Sequence, residues 1–158
     1  MIYLKSLLFL VIAPGIVAGL IPLTLLQNGP QFQTGVFSYL ALPFWITGIG
    51  TLLWCFLDFA QKGKGTPAPV DPPKELVISG LYRYVRNPMY VSVLLIIVGH
   101  FLWSGYWNLL VYAGFFLVVA HLFVTLYEEP NLRKRFGSAY EKYLKEAPRW
   151  FPRFRRTL

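Results

Sequence analysis

Four long apolar runs without a charged residue constrain this chain more than any other feature. They are Ser6–Leu26, Gly35–Leu57, Pro88–Trp103 and Tyr106–Tyr127. At about 1.5 Å per residue, helices of this length approach or exceed the ~30 Å hydrocarbon core of a bilayer, and the third is the shortest. The sequence therefore predicts an all-α fold, a polytopic membrane helical bundle of about four transmembrane helices. We expect one domain over residues 1–158.

The positive charges divide cleanly between the segments that flank these runs. Of the 15 Lys and Arg residues, Lys5 precedes the first run, five lie between Gln61 and Asn87, and nine follow Asn131. The two remaining connections carry none. Short loops rich in Lys and Arg stay in the cytoplasm, so both termini are predicted to face it. Because this rule explains the charges, we expect no nucleic-acid partner.

Polar residues are predicted to converge where the third and fourth helices meet the cytoplasm. A short uncharged turn makes these helices an antiparallel hairpin, with Asn87 and Glu128 at about equal depth. Asn87 is a favourable N-cap residue, and Pro88 after it suits the first position of a helix. Exposed ion pairs of the glutamates with an arginine are one reading; ionisable groups at this depth also suggest a functional site. The residues concerned are Arg83, Tyr84, Arg86, Asn87, Tyr90, Tyr127, Glu128 and Glu129, with Arg133 as a further partner.

The remaining reactive residue types are expected to be structural. His100 and His121 lie within apolar runs, where an interhelical hydrogen bond is the simplest role. Cys55 is the only cysteine and is expected to be a small buried residue. No cluster of ligands has the spacing of a metal site, so none is predicted.

The segment after the fourth run is predicted to form an amphipathic helix at the membrane surface. Phe136, Tyr140, Tyr143 and Leu144 follow helical spacing, and charged residues lie between them. The following segment, residues 148–153, mixes aromatic residues and arginines as interfacial anchors do. Both segments could also close over a site at the mouth of the hairpin.

Three motifs in order resemble the isoprenylcysteine carboxyl methyltransferase and phospholipid methyltransferase group. They are Glu75–Tyr90, Glu128–Leu132 and Phe136–Tyr140, within a cofactor-binding region of about residues 63–153. These are membrane enzymes that use S-adenosylmethionine. The resemblance implies a methyltransferase acting on a lipophilic acceptor, which is a small molecule or a lipid.

The resemblance also assigns roles to individual residues. It implies that Glu128, Glu129 and Arg86 are catalytic. Glu128 would in addition bind polar groups of the cofactor, since a carboxylate and aromatic faces suit a sulfonium or ammonium cation. The other residues that it places against the cofactor are Leu76, Val77, Tyr82, Asn87, Pro88, Met89 and Tyr90.

Three positions depart from the family pattern and bear on the acceptor. Asn87 stands where a histidine is common, Ser92 where a glycine is common, and Val124 where the prenylcysteine enzymes are expected to carry an arginine. The last change disfavours a prenylcysteine carboxylate, and a lipid amine or a small lipophilic thiol is equally plausible. Two other functions remain open, an NADPH-dependent membrane reductase of the sterol-reductase type and a non-catalytic protein that binds a lipid or a partner.

Overall fold

A computed structural model describes residues 2–26, 29–63 and 74–152 of the chain. The regular elements of this part are helices. Two π-helical turns and two 3₁₀ segments, Gly35–Leu40 and Gly80–Arg83, adjoin them. The α-helices are α1 (Ile2–Gly15), α2 (Ile21–Leu25), α3 (Ala41–Lys62), α4 (Pro88–Ser104), α5 (Trp107–Phe123), α6 (Glu129–Phe136) and α7 (Ser138–Glu146).

Three continuous helical stretches of the described chain are long and apolar enough to cross a membrane. They are Leu7–Leu25, Gly35–Lys62 and Trp107–Phe136, while the apolar helix α4 is shorter, with 17 residues. Many of their large apolar side chains are exposed, as a lipid-facing surface requires. The prediction of an all-α membrane bundle is confirmed, and α4 is its shortest member.

The helix formed by the second apolar run extends beyond the end of that run. It was expected to end at Leu57, before Asp58, but α3 continues to Lys62. Lys62 Nζ donates a 2.7 Å hydrogen bond to Asp58 Oδ1, one helical turn away. This pairing compensates the charge of the buried aspartate, so the helix does not end there.

The helix formed by the fourth apolar run also extends beyond the end of that run. It was expected to stop at Tyr127, whereas a π-helical turn, Val124–Glu128, joins α5 to α6 in one helical stretch. Pro130 lies at the start of α6, directly after the π-helical turn, and the helical stretch continues through it to Phe136. The helix ends at Gly137, whose φ of 51° favours glycine.

A second π-helical turn, Ile16–Leu20, joins α1 to α2. Such a turn interrupts the regular ladder of backbone hydrogen bonds and leaves carbonyl groups for other donors. Tyr112 Oη donates to the Val17 carbonyl at 2.8 Å, and His100 Nε2 lies 2.9 Å from the Ala18 carbonyl. These bonds fix α1 against α4 and α5, and they confirm that His100 is a packing residue.

Helices α3 and α4 approach closely at Gly48. A Cβ there would lie 2.8 Å from Ile96 Cγ1 and 2.9 Å from the Ser92 carbonyl oxygen, so a larger residue would separate the helices. The Ser92 hydroxyl donates to the Pro88 carbonyl at 2.8 Å and lies 2.7 Å from Thr51 Oγ1. Ser92 is therefore small enough for the close contact of the two helices, and its hydroxyl group is hydrogen-bonded.

The predicted C-terminal amphipathic helix corresponds to α7. Its apolar face packs on the protein, where Tyr140, Tyr143 and Ala147 form a buried cluster with Leu76 and Leu132. Charged residues such as Lys142 and Lys145 lie on the exposed face. The helix therefore covers one end of the bundle, where the polar residues of α4 and α6 meet.

Candidate active site

A cavity of about 790 Å³ lies between α1, α3, α4 and α5, and Tyr140 and Tyr143 of α7 also line it. Every residue that the family resemblance assigns to the cofactor, from Leu76 to Glu128, lines it, as do Arg86 and Glu129. We call the part lined by Tyr82, Arg86, Asn87, Tyr90, Glu128 and Glu129 the polar end. The part lined by Val17, Leu52, Phe56, Val93 and Phe116 is the apolar end.

The two adjacent glutamates have different partners. Glu128 closes the π-helical turn, and Tyr90 Oη of α4 donates to its Oε2 at 3.1 Å. Among the described residues, no arginine or lysine lies within ion-pair distance of Glu128. A π-helical turn shifts the register of the side chains that follow it, so the carboxylates of Glu128 and Glu129 reach different surroundings.

Glu129 is held by two arginines. Arg149 Nε and Nη2 donate to its two carboxylate oxygens at 2.8 and 3.0 Å, and Arg86 Nη1 lies 3.3 Å from Oε1. The Glu129 side chain is only 10% exposed. Hydrogen bonding to Glu129 raises the pKa of Arg149. The predicted pairing of Glu129 with Arg86 is thus confirmed, but the pair is buried and not exposed, and Arg133 pairs with Glu141 at 3.2 Å instead.

Arg86 has capacity for a further ligand. Its side chain is 11% exposed, and within the described part of the chain its Nε finds no hydrogen-bond partner. A buried guanidinium N–H without an acceptor is costly, and a bound anionic or carbonyl oxygen would satisfy it. The polar end therefore offers both a carboxylate, that of Glu128, and an unsatisfied cationic donor.

Residues 148–150 form a C-terminal strap over the polar end. The Arg86 backbone N–H donates to the Pro148 carbonyl at 2.9 Å. The Trp150 indole donates to His121 Nδ1 at 3.2 Å, and its ring contacts the Tyr90 ring edge-on with centroids 6.3 Å apart. His121 does form a hydrogen bond, but the predicted interhelical partner is wrong, because the partner, Trp150, belongs to the strap.

Asn87 does not cap α4 as predicted. Its side chain makes no capping hydrogen bond, and its Nδ2 instead donates to the Arg149 carbonyl at 3.1 Å. The amide is 6% exposed, so it needs a partner, and the strap supplies one. Pro88 occupies the first helical position as predicted. Asn87 therefore links the strap to the start of α4.

Tyr82 is positioned by the 3₁₀ turn Gly80–Arg83. Gly80 has a φ of 61°, and a Cβ there would collide with Asp58, so the turn needs glycine. Tyr143 Oη of α7 donates to the Tyr82 carbonyl at 2.6 Å. Burial raises the pKa of Tyr82 well above its usual range, so the phenol stays neutral beside the cavity.

Two roles were open from the sequence for three contributors to the polar end. Arg149 and Trp150 were expected either to anchor the chain at the membrane interface or to close over the site, and Tyr143 to lie on a surface helix that could do the same. In the structure all three contact residues of the polar end. The composition of these segments fits both roles, so only the fold separates them.

The comparisons with known proteins agree with the motifs. A family model described as phospholipid methyltransferase matches residues 36–139. The chain is also 38% identical over 64 residues to an uncharacterized protein of Haemophilus influenzae, a match covering 39% of this chain and 98% of that protein. The matched family segment includes α3 to α6 and leaves α1 outside.

Proposed function

Because this chain belongs to the phospholipid methyltransferase family, we propose that it transfers a methyl group from S-adenosylmethionine to a lipophilic acceptor. The observation that carries the proposal is the single cavity with a polar and an apolar end. A cofactor and a hydrocarbon acceptor differ in solubility, and methyl transfer needs them in contact and aligned. One continuous cavity with a polar and an apolar end would allow the cofactor and the acceptor to meet.

The polar end suits S-adenosylmethionine in charge and shape. The cofactor carries two cationic groups, which favour the Glu128 carboxylate and the aromatic faces of Tyr82 and Tyr90. Its methionyl carboxylate would satisfy the free Nε of Arg86. When bound, it supplies an activated methyl group on a sulfonium sulfur. In this proposal Glu129 and Arg149 act by fixing Arg86 and closing the strap.

The acceptor would reach the cavity from the bilayer. Phe123 and Tyr127 line the cavity and are also 40% and 49% exposed on the outer face of the bundle. Their rings contact each other with centroids 5.1 Å apart. Because these residues both line the cavity and are exposed on the outside, a membrane-dissolved molecule is proposed to enter beside them without passing through water.

The acceptor is proposed to be neutral where it reacts. Val124, 1% exposed, occupies the cavity wall one turn before Glu128, where an acceptor carboxylate would need a cation. An unpaired carboxylate in such apolar surroundings is unfavourable. A lipid amine or thiol fits better, and Glu128 is placed to take up the proton that the acceptor loses or to stabilise the cation that forms.

The orientation of the site follows the charge rule. The basic residues that line the cavity are Arg86, Lys134 and Arg135, and the last two belong to the basic segment that follows Asn131. Positively charged segments favour the cytoplasm. We therefore place both termini and the polar end on that side, so that a cytoplasmic cofactor reaches the cavity under the strap.

Titration calorimetry with S-adenosylhomocysteine, the demethylated product, tests this function on detergent-purified protein. We expect binding by the wild type and a loss of at least about tenfold in affinity for Glu128→Ala, since that variant removes a charged partner. Glu141→Ala is the matched control, because this glutamate lies in an exposed ion pair away from the cavity.

Two results would contradict the proposal. One is a folded wild-type protein that binds NADPH and not S-adenosylhomocysteine, which would indicate the reductase. The other is a protein that binds neither cofactor, which would indicate a non-catalytic lipid or partner protein. Equal affinity in Glu128→Ala and Glu141→Ala would remove Glu128 from the site.

A further inference from the structure

The wall that α1 contributes to the cavity lies outside the segment matched by the family model, which begins at residue 36. Phe9, Ala13, Pro14 and Val17 line the cavity. Spacings of four residues place Phe9, Ala13 and Val17 on one side of the helix. Val11 and Ile12 do not line the cavity and are 62% and 50% exposed. One side of α1 therefore faces the cavity and the other faces lipid.

The apolar end of the cavity has a closed floor. Ala18, Ile97 and Ala113 are buried together just beyond Val17 and Phe116, in one cluster of the core. The hydrogen bond from Tyr112 to the Val17 carbonyl holds α1 against α5 at this level. A chain that enters from the polar end therefore meets a packed stop.

The distance between the two ends follows from α5 and the π-helical turn after it. Glu128 and Phe116 both line the cavity and are twelve residues apart, which corresponds to about 18 Å along a helix. On the facing side, Phe9 of α1 and Val17 of the next π-helical turn are eight residues apart, or about 12 Å. The lining is therefore long enough to accommodate an extended hydrocarbon chain.

Ala13 is the smallest residue of the α1 wall. Phe9, nearer the polar end, packs against Phe56 with ring centroids 6.2 Å apart, so aromatic rings line the cavity at this level. Ala13 is the next cavity-lining residue toward the floor. A methyl side chain at this level leaves room that a larger side chain would occupy.

We propose that the α1 wall selects the acceptor by the length of one hydrocarbon chain, which lies along Ala13 and Val17 and ends at the floor. The inference rests on the proposed function for the position of the reactive group at Glu128. It adds that α1, rather than the family segment, determines which acceptor fits. Ala13 and Val17 are then specificity-determining residues that contact the chain.

Photolabelling of the full chain in lipid nanodiscs tests this directly. The probes are octylamine and hexadecylamine, each with a diazirine on the terminal carbon, and labelled residues are mapped by mass spectrometry. The ammonium group resembles a cationic product beside Glu128. In the wild type we expect hexadecylamine to label the floor, at Val17, Ala18 or Phe116.

Ala13→Phe should lower hexadecylamine labelling of the floor at least about tenfold, since it fills the path of the chain. Labelling by octylamine nearer the polar end should persist. Ile12→Phe is the matched control, because it adds the same ring to the lipid-facing side and should change neither probe. Ala13→Leu, a smaller change, should give a graded loss and replaces Ala13→Phe if that variant does not fold.

The proposal is overturned if floor labelling is absent in the wild type, or if it is equal in the Ala13 variants and Ile12→Phe. Binding of S-adenosylhomocysteine is measured on the same samples. Unchanged affinity in the Ala13 variants with lost floor labelling supports the α1 wall. Selective floor labelling in a protein that binds no S-adenosylhomocysteine would refute the methyltransferase function and leave the wall in place.

Discussion

The two ends of the cavity are built by different means. The polar end is assembled from segments that are far apart in the chain, and hydrogen bonds join them: Tyr90 to Glu128, Arg149 to Glu129, and Asn87 to the strap. The apolar end is formed by the sides of helices, through Val17, Leu52, Val93 and Phe116. The polar end has hydrogen-bond donors and acceptors at fixed positions, whereas the apolar end offers only a space between apolar side chains.

This difference indicates how each end can discriminate. A site that hydrogen-bonds its ligand rejects a molecule that lacks the matching group, because its own buried polar atoms are then left unpaired. An apolar pocket discriminates by size and gives smaller ratios per methylene group. In the proposed function, the polar end is therefore suited to one cofactor, and the apolar end to a class of acceptors that share a shape.

The largest effect is expected for Glu129→Ala, which should destabilise the polar end. This change leaves the guanidinium groups of Arg86 and Arg149 without their carboxylate in a mostly buried position. We expect the free energy of unfolding to fall by about 3 kcal/mol. Unfolding in mixed detergent micelles, followed by circular dichroism, measures it.

The surface pair of Arg133 and Glu141 provides the comparison for that loss. Both side chains are 54% exposed, so Glu141→Ala should cost at most about 1 kcal/mol. If the two glutamate variants were equally stable, the ion pairs of Glu129 would not hold the polar end together. The strap would then depend on its backbone contacts alone.

A smaller effect is expected for Tyr90→Phe. This variant keeps the ring against Trp150 and removes the hydroxyl that donates to Glu128. Losing one hydrogen bond to a charged group should weaken S-adenosylhomocysteine binding by about tenfold. Calorimetry measures the affinity, with Tyr39→Phe, an exposed tyrosine remote from the cavity, as control. Unchanged affinity would mean that Glu128 does not need this donor.

The smallest effect on the cofactor is expected at the apolar end. Phe116→Ala enlarges the cavity near its floor and touches no polar group of the site. S-adenosylhomocysteine affinity should stay within about twofold of the wild type, since changes at separate sites act independently. A calorimetric loss as large as that of Tyr90→Phe would show that the two ends are not separate.

Local pattern predicted most of the bundle and little of the strap. The apolar runs located α1 to α5 because hydropathy is a property of contiguous residues. The helices of the second and fourth apolar runs extend to Lys62 and Phe136, because an apolar pattern stops at the first charged residue, Asp58 or Glu128, whereas the helix continues. The capping role predicted for Asn87 failed because its amide has a partner in the strap.

The sequence by itself determined that the chain is a helical membrane protein of this family, and which motif residues line the polar end. These follow from hydropathy, charge distribution and motifs, which need no long-range information. Only the tertiary structure decided that Arg149 clamps Glu129, that Glu128 lies free of arginines in the described chain, and that α1 walls the apolar end. The physical reason is that such contacts depend on how helices and the strap pack, and packing joins residues whose spacing in the chain carries no signal.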